Sequence, residues 1–292
     1  MPDPIRILLQ TTIEPNPDDW DISRFSLLAG HLASLRNADG APRYAVTARD
    51  RGPCAAPDPV LSTLDRSSHD QLWLLAVDTG DGLHAEDAAG IARFHAGGRG
   101  LMVTRDHMDL GCSIRALGAI GRAHFFHSYN VDPDPARHCI DDRETTAILW
   151  PNYHSGANGD AQEIVPVGRI HPLLRDAAGG AITRLPAHPH EGAVGVPSDA
   201  SAARVIATGS SQTTGRSFNI AVAFEASGGT GRGLAQSTFH HFADYNWDPA
   251  RGCPSFVTER SGDGMRTDPE AARMTRRYVE NIAAWLAGGE NR

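Results

Sequence analysis

Lysine is absent from this sequence, and all 27 of its Lys and Arg positions are arginine. Without a lysine amine no Schiff base can form, which excludes pyridoxal-phosphate chemistry and Schiff-base aldolases. The same absence excludes an ordinary nucleotide-binding P-loop, whose lysine contacts the phosphates. The sequence also contains neither a Gly-x-Ser-x-Gly elbow nor a Gly-x-Gly-x-x-Gly motif that follows a strand. It is therefore typical neither of an α/β-hydrolase nor of a dinucleotide-binding protein.

Basic charge is outnumbered by acidic charge, and the formal net charge is −8 at pH 7. An acidic surface without basic runs disfavours nucleic acid and anionic membranes as partners. No apolar run approaches the roughly 20 residues of a membrane helix, and the first residues do not have the pattern of a signal peptide. We therefore expect a cytoplasmic protein with free thiols. Its four cysteines, which form no Cys-x-x-Cys pair, are Cys54, Cys112, Cys139 and Cys253.

Alternating apolar runs, turns and amphipathic segments predict an α/β fold. The clearest unit has a buried strand at 72–77, a helix at 85–96 and a second strand at 101–104. A strand, a helix and a strand within about 30 residues form a βαβ unit. Further strands are predicted at 5–9, 44–47, 204–208, 218–225 and 233–239, and helices at 21–36 and from Pro269 onward.

Residues 120–200 break this alternation. The stretch is rich in Pro, Asn, Gly and His, and it is too long for a simple loop. We interpret it as an insertion or an elaborated active-site region. The sequence thus predicts one α/β domain over residues 1–292, with a doubly wound, mostly parallel sheet and a long irregular insertion over the carboxyl-end crevice.

Two stretches of the sequence carry a family resemblance. One begins at Ala85 and combines a helix, a glycine pair and a buried strand that ends with Val103. The other contains a Gly-Arg-led strand that ends near His241 and the Asn-Ile-x-x-Trp pattern that ends with Trp285. These stretches resemble the ThuA-like (trehalose-utilisation) proteins of the class I glutamine amidotransferase-like superfamily. The resemblance implies a flavodoxin-like sheet and an association with sugar metabolism.

The same superfamily includes glutaminases with a Cys–His–Glu triad, whose cysteine lies in a Gly-x-Cys-x-Gly elbow directly after a strand. Here Cys112 has no second glycine after it and lies eight residues past the predicted strand end at Thr104. The run from His188 to Glu191 is similar to the His and Glu of that triad. Because the elbow is missing, we do not expect a classical glutaminase.

Polar side chains follow the predicted strands at their carboxyl ends, where open parallel sheets bind ligands. A carboxylate beside an imidazole suits acid–base chemistry, because it fixes the tautomer of a group that titrates near neutral pH. We therefore predict Asp106, His107 and His240 as catalytic residues. Arg105 is expected to anchor an anionic or carbonyl group. The alternative for Asp106 is a helix N-cap, and the alternative for the set is a group of solvated strand ends.

The stretch from Trp150 to Asp160 mixes aromatic residues with Asn, Gly and His, which suits recognition of a sugar or another polyol. The alternative is an ordinary turn-rich loop. The predicted substrate-binding residues, gathered from this stretch and from the strand ends and histidine runs, are Thr11, Asp78, Arg105, Tyr153, His154, His188, His190, Glu191 and His241.

The histidine runs also raise the question of a metal. Imidazoles two residues apart in an extended segment face the same way, and a carboxylate can complete a site. Adjacent His240 and His241 point to opposite faces if extended, so only one of them is expected in the pocket. The predicted chemistry requires no cofactor. If a divalent metal is bound, the candidate ligands are His188, His190, Glu191 and His240; otherwise these histidines line a polar cavity.

Three functions remain open on these grounds. The leading one is an enzyme of hydrolase or isomerase type that acts on a small polar metabolite by His/Asp acid–base chemistry, with the sugar or keto-sugar class implied by the resemblance. The second is a non-catalytic ligand-binding protein or complex subunit with a degenerate site. The third is a metal-dependent hydrolase. The expected partner is a small polar molecule rather than nucleic acid or a membrane, and a homo-oligomer is compatible with the sequence.

Overall fold

The computed structural model describes residues 3–288. Within them the strands are β1 (Ile5–Thr11), β2 (Tyr44–Arg49), β3 (Gln71–Leu75), β4 (Gly100–Thr104), β5 (His124–Phe125), β6 (Ala161–Glu163), β7 (Val165–Pro166), β8 (Arg184–Pro186), β9 (Ala193–Val194), β10 (Ala203–Ser210), β11 (Ser217–Phe224) and β12 (Gly233–Gln236). The helices are α1 (Ser26–Ser34), α2 (Ala85–Ala96), α3 (Gly118–Arg122), α4 (Asp244–Trp247), α5 (Gly264–Thr267) and α6 (Pro269–Leu286). Nothing in this part of the chain forms a helix with the length and apolarity needed to cross a bilayer.

Eight of the strands form one sheet in the order β2-β1-β3-β4-β12-β11-β10-β7. The pairs from β2 to β12 are parallel, whereas β11, β10 and β7 continue the sheet by antiparallel pairing. The predicted α/β class with a mostly parallel, flavodoxin-like sheet is confirmed. The carboxyl ends of β4 and β12 lie side by side, which places the segments that follow them next to each other.

Successive residues of the central strands face opposite layers of the core. Ile7 and Leu9 of β1 pack with Trp73 of β3 in the layer that also holds α1 and α6. Leu8 and Leu72 pack in the other layer, against α2. Parallel strands covered on both faces need continuous apolar runs, which explains why these strands show no alternation of apolar and polar residues.

The terminal helix α6 has the predicted start. The side chain of Asp268 accepts hydrogen bonds from the backbone N–H groups of Glu270 and Ala271, and Pro269 occupies the first turn. Asn281 of the Asn-Ile-x-x-Trp pattern donates its side-chain amide to the backbone carbonyls of Leu173 and Arg175. The pattern therefore connects α6 to the irregular region of the chain.

Three predicted elements end at least two residues earlier than expected. The strand predicted at 72–77 is β3, which stops at Leu75. The strand predicted at 233–239 stops at Gln236, because the Thr238 hydroxyl accepts a hydrogen bond from the His240 N–H and starts a tight 3-10 turn over Phe239–His241. The helix predicted at 21–36 is a 3-10 turn followed by α1, which ends at Ser34. The Thr238 side chain competes with the regular strand pattern, and the Asp21 side chain accepts the Ser23 N–H and caps the 3-10 turn before α1.

The stretch 120–200 is largely irregular, and β7 within it is the edge strand of the main sheet. Within it, β5 pairs with β9 and β6 pairs with β8 as short two-stranded units. The backbone N–H of Gly192 donates to the carbonyl of Ser237, just past β12, at 3.2 Å. The segment that contains His188 and His190 is thereby held against the ends of β4 and β12.

Candidate functional site

Five side chains from three parts of the chain meet at a cavity of about 380 Å³. Asp106 and His107 follow β4, and His240 follows the neighbouring β12. His188 and His190 come from the irregular stretch above the sheet. We call these five residues the His/Asp cluster. All five line the cavity.

A hydrogen bond to a residue outside the cavity fixes the orientation of His240. Its Nδ1 lies 2.8 Å from Oδ1 of Asn246. The Asn246 amide nitrogen donates to Oδ1 of Asn158 at 2.9 Å and to the carbonyl of Ala187 at 3.0 Å, so its Oδ1 must be the acceptor for His240. His240 therefore carries its proton on Nδ1 when neutral. Its bare Nε2 faces Oδ2 of Asp106 at 3.6 Å.

His188 stacks on His240, with ring centroids 3.4 Å apart. Its Nδ1 accepts the backbone N–H of His190 at 3.1 Å and lies 3.7 Å from Oδ1 of Asp106. Burial, followed by the charge of His240, lowers the pKa of His188 well below its ordinary value. His188 is therefore a neutral imidazole at pH 7.

The Asp106 carboxylate is buried among these rings. Its Oδ1 has no hydrogen-bond partner among residues 3–288. Its Oδ2 lies 3.1 Å from Nδ1 of His107, in a contact that is close but not aligned as a hydrogen bond. Burial raises the pKa of the Asp106 carboxyl, but the imidazoles of His107, His240 and His188 outweigh that effect and hold it well below its usual range.

His107 is the most open imidazole of the cluster. Its side chain is 16% exposed, against 2–6% for His188, His190 and His240. His190 packs edge-on against His107, with ring centroids 5.0 Å apart, and is held by Asp142 and by Thr145, whose hydroxyl lies 2.5 Å from its Nε2. His107 is therefore the cluster member best placed to reach a bound molecule.

One wall of the cavity is apolar. The Trp20 ring meets His240 edge-on at 4.7 Å, and Phe239 stacks on the same imidazole at 4.1 Å. Phe256 lines the mouth and is 57% exposed. Asp19 also lines the cavity, and burial raises the pKa of its carboxyl. The space thus combines a polar, titratable wall with an aromatic one.

Glu191 and His241 lie outside this cavity, although the sequence grouped them with its other histidines. The Glu191 carboxylate accepts hydrogen bonds from Ser155 at 2.6 Å, from Ser237 at 2.9 Å and from Gln162. Nε2 of His241 lies 3.4 Å from the same carboxylate. Side chains alternate along an extended segment, so Glu191 points away from the side that His188 and His190 share.

Arg105, Thr11 and Asp78 do not line the cavity either. The Arg105 guanidinium is fully buried, donates to the Met108 carbonyl and lies 4.4 Å from the centre of the Phe126 ring. Burial lowers its pKa to about 9. The Thr11 hydroxyl lies 2.5 Å from a carboxylate oxygen of Asp50, and Asp78 accepts the Ser113 hydroxyl at 2.9 Å. These side chains stabilise the strand ends rather than reach a ligand in this cavity.

The stretch from Trp150 to Asp160 contributes differently from the prediction. The Tyr153 hydroxyl donates to the carbonyl of Arg137 at 3.0 Å, and its ring stacks on Phe218. The backbone carbonyl of His154 accepts the Gln212 N–H. Neither side chain lines the cavity, whereas Asn158 of the same stretch does.

Several site residues were not predicted from the sequence, and one of them had a usable signal. Trp20 lies in the segment that follows β1, where side chains of any kind can reach the carboxyl end of the sheet. Asn246 lies in α4, six residues past His240, and belongs to no recognised motif. Asp142, Asn158 and Glu259 converge only through the irregular path of the chain.

Comparisons with known proteins find similarity in structure alone. No family model matches the sequence, and no curated protein matches it. A ThuA-like protein from Parabacteroides merdae matches with a TM-score of 0.51 and 13% identity, over 97% of this chain and 91% of that one. A ThuA-like protein from Bacteroides uniformis gives 0.47 and 10% identity over the same shares, 97% and 91%. The glutaminase domain of Trypanosoma brucei CTPS gives 0.46 and 13%, over 96% of this chain and 94% of that domain.

At such low identity a structural match speaks for the fold alone. The Parabacteroides match extends over nearly the whole of both chains, so the fold is not shared merely by one βαβ unit. The chain therefore has a ThuA-like fold, and the resemblance inferred from its sequence is confirmed at the level of the fold.

Proposed function

We propose that this chain is an enzyme that transfers protons to and from a small polar molecule held in the cavity. The observation that carries the proposal is the convergence of Asp106 and four imidazoles on one shared space. Acid–base catalysis needs such groups within reach of one another and of the substrate. A positioned acid or base of this kind accelerates a reaction by roughly 10²–10⁴-fold.

Each catalytic residue has a distinct part in this proposal. His107 is the acid–base group that touches the substrate, because it is the most open imidazole of the cluster. Asp106, whose Oδ2 lies 3.1 Å from Nδ1 of His107, orients that ring. His240 presents its bare Nε2 to the same carboxylate and completes the polar wall.

The polar groups of the cluster favour catalysis over simple ligand binding. A binding module satisfies its buried polar groups with backbone partners, because unpaired buried groups cost stability. Here Oδ1 of Asp106 and Nδ1 of His107 have no aligned hydrogen-bond partner in the described part of the chain. Buried polar atoms without partners cost stability, and such groups are concentrated at functional sites.

The proposed substrate class is a sugar or a keto-sugar. The cavity volume of about 380 Å³ lies within the roughly 300–1,000 Å³ of small-molecule sites. The aromatic wall with Trp20 and Phe256 suits the apolar face of a sugar ring, and the His/Asp cluster suits its hydroxyl and carbonyl groups. This class agrees with the sugar metabolism that the family resemblance implies.

Hydrogen exchange tests the proposal without knowledge of the final product. A panel of aldoses, ketoses and keto-sugars is incubated with the protein in D₂O, and deuterium entry beside the carbonyl is followed by NMR. The imidazole takes a proton from carbon, exchanges it with solvent and returns deuterium. We expect exchange for at least one panel member, and a rate at least about 100-fold lower for His107→Gln.

His127→Gln is the matched control, because His127 is exposed and lies outside the cavity. It is expected to leave the exchange rate unchanged. Binding of panel sugars without exchange would instead support a ligand-binding protein. Exchange that survives His107→Gln undiminished would contradict the role of His107.

A further inference from the structure

Apart from its imidazoles, the cavity is lined by ionisable side chains of one sign only. They are Asp19, Asp106 and Glu259. The sequence has 27 arginines, yet none in the described part of the chain lines this space. Arg105 directs its guanidinium to the Met108 carbonyl and the Phe126 ring instead. The cavity therefore presents carboxylates to a bound molecule and no guanidinium.

Glu259 has no positively charged partner within residues 3–288. Its carboxylate lies 3.8 Å from Nε2 of His190, which is too far for a hydrogen bond. His190 is hydrogen bonded to Asp142 instead, and burial, followed by the charge of His107, lowers its pKa. The ring is therefore neutral at pH 7 and does not balance the charge of Glu259. Arg260, the next residue, lines a separate surface pocket.

Asp19 lies beside the aromatic wall, and no arginine among residues 3–288 is within ion-pair distance of it. Its carboxylate accepts the backbone N–H of Trp20 at 2.7 Å. Burial raises the pKa of this carboxyl, and the neighbouring charges of Asp21 and Asp18 raise it further. A cation beside Asp19 would offset both effects, because an opposite charge favours the ionised carboxylate.

We propose that the molecule bound in this cavity carries a positive charge, and that amino sugars are the preferred ligands within the sugar class. This inference rests on the proposed function and narrows its substrate class. An ammonium group can pair with the carboxylate of Asp19 or Glu259, and the rings of Trp20 and Phe256 add faces that attract a cation. Asp106, which also lines the cavity, has a buried Oδ1 without a partner among residues 3–288 that can accept a further N–H or O–H.

The same carboxylates discriminate against anionic sugars. A unit charge about 4 Å from a carboxylate changes an affinity by roughly 5-fold in bulk water, and by far more in a partly buried site. The sign of the change is opposite for an ammonium group and for a phosphate. Selectivity therefore includes rejection of phosphorylated and carboxylated sugars, which the absence of a lining arginine leaves without a partner.

The test is titration of matched ligands followed by NMR at pH 7. Three series are built on glucose, galactose and mannose, each with the parent sugar, the 2-amino sugar, its N-acetyl derivative and the 6-phosphate. The N-acetyl derivative keeps the nitrogen at the same carbon but has no charge. In at least one series we expect the amino sugar to bind at least about 10-fold more tightly than both neutral sugars, and the phosphate at least about 10-fold more weakly than the parent. Added salt should reduce both differences.

Asp19→Asn and Glu259→Gln remove one negative charge each and change the side-chain shape little. Each should lower the ratio of amino-sugar to parent-sugar affinity by about 3- to 10-fold, and the double variant should lower it further. Glu86→Gln is the matched control, because it removes an exposed carboxylate of α2 outside the cavity, and it should keep the ratio. A ratio measured within one protein is insensitive to a general loss of folded material.

Equal affinities for amino and parent sugars in every series overturn the inference, as does tighter binding of a phosphate. A preference for the amino sugar that is undiminished in both variants also overturns it. Deuterium exchange of a sugar without any preference for the amine leaves the proposed function standing and removes the inference. Charge-dependent binding of amino sugars without exchange keeps the ligand class and contradicts proton transfer, and no binding by any member of the three series contradicts both.

Discussion

The side-chain amide of Asn246 determines which nitrogen of His240 faces the cavity. The two side chains are joined by a 2.8 Å hydrogen bond, and the amide itself is oriented by two further bonds to Asn158 and Ala187. The tautomer of His240 is thus fixed by a residue that never reaches the cavity. The acid–base proposal depends on that choice, because it places a bare Nε2 of His240 opposite Asp106.

Asn246→Ala should release the tautomer of His240. Loss of the acceptor removes the reason for the Nδ1-bound proton, and the ring is expected to shift towards the Nε2-bound form. Long-range ¹H–¹⁵N NMR of the imidazole nitrogens measures the ratio of the two tautomers. Asn246→Asp keeps an acceptor oxygen and should keep the wild-type tautomer. Asn16→Ala, on the exposed surface, controls for the general effect of losing an asparagine.

A wild-type spectrum already dominated by the Nε2-bound form would contradict this account of Asn246. So would an Asn246→Ala spectrum identical to that of the wild type. Unfolding by urea provides a second readout, since Asn158 and the Ala187 carbonyl lose a donor in the variant. We expect a loss of about 1–3 kcal/mol in the free energy of unfolding.

Glu191→Gln should destabilise the fold but spare the cavity. The carboxylate accepts bonds from two hydroxyls and from Gln162, and it lies near His241, all of them buried. An amide places a donor against these donors, so the free energy of unfolding should fall by about 2–4 kcal/mol. Urea unfolding measures this loss.

The control for that prediction is Glu86→Gln, at an exposed position in the first turn of α2. It removes a favourable helix-end charge and should cost less than about 1 kcal/mol. Deuterium exchange by Glu191→Gln is expected to stay near wild type where the protein is folded. A loss of exchange with the free energy of unfolding unchanged would show that Glu191 takes part in the site.

His124 should make the stability of the protein depend on pH. Its ring is fully buried in the core, and burial, followed by the nearby Arg105 charge, lowers its pKa well below the ordinary value. In the unfolded chain the pKa of His124 is about 6.5. Below that pH the unfolded chain binds a proton that the folded chain does not bind, so the free energy of unfolding falls as the pH falls. Above that pH the contribution is constant.

His124→Phe removes this titration and keeps a large ring at the site. Between pH 6 and pH 5 the wild type should lose up to about 1.4 kcal/mol per pH unit more than the variant. Denaturant unfolding at a series of pH values measures the two slopes, and the comparison cancels the contributions of other buried histidines. Equal slopes for the two proteins would show that His124 is protonated in the folded state or reaches solvent.

Most of the site that could be predicted from the sequence follows from one pattern, the polar residues that come directly after the carboxyl ends of the parallel strands. It brought Asp106, His107 and His240 together, because the carboxyl ends of neighbouring parallel strands meet. It failed for Arg105, which sits at the same strand end but turns into the core over Phe126. A side chain at a strand end can turn towards the cavity or towards the core. The sequence does not show that Phe126 lies on the core side, where it packs against Arg105.

The alternation of side chains along an extended segment correctly predicted the orientation of residues 188–191, and of no other part of the site. It placed His188 and His190 on one side and explains why Glu191 lies on the other. It says nothing about what that side meets, because residues 120–200 follow an irregular path fixed by individual bonds such as that from Gly192 to Ser237. The fold was predictable where apolar periodicity is strong, as in β1, β3, β4, α2 and α6, and the convergence of the site was not.

Phe256 offers a test of substrate class that leaves the chemistry alone. Its ring lies at the mouth of the cavity with 57% of its surface exposed, so Phe256→Ala should change the free energy of unfolding by less than about 0.5 kcal/mol. If the substrate stacks an apolar sugar face on this ring, loss of the ring removes about 0.5–1.5 kcal/mol of binding, or roughly a 2- to 12-fold rise in the dissociation constant. Titration of the best sugar of the panel, followed by NMR, measures that change.

Phe256→Tyr retains the ring face and should bind as the wild type does. Equal affinities for Phe256→Ala and the wild type would show that the aromatic rim does not contact the substrate, and the argument for a sugar would then rest on Trp20 and the polar wall.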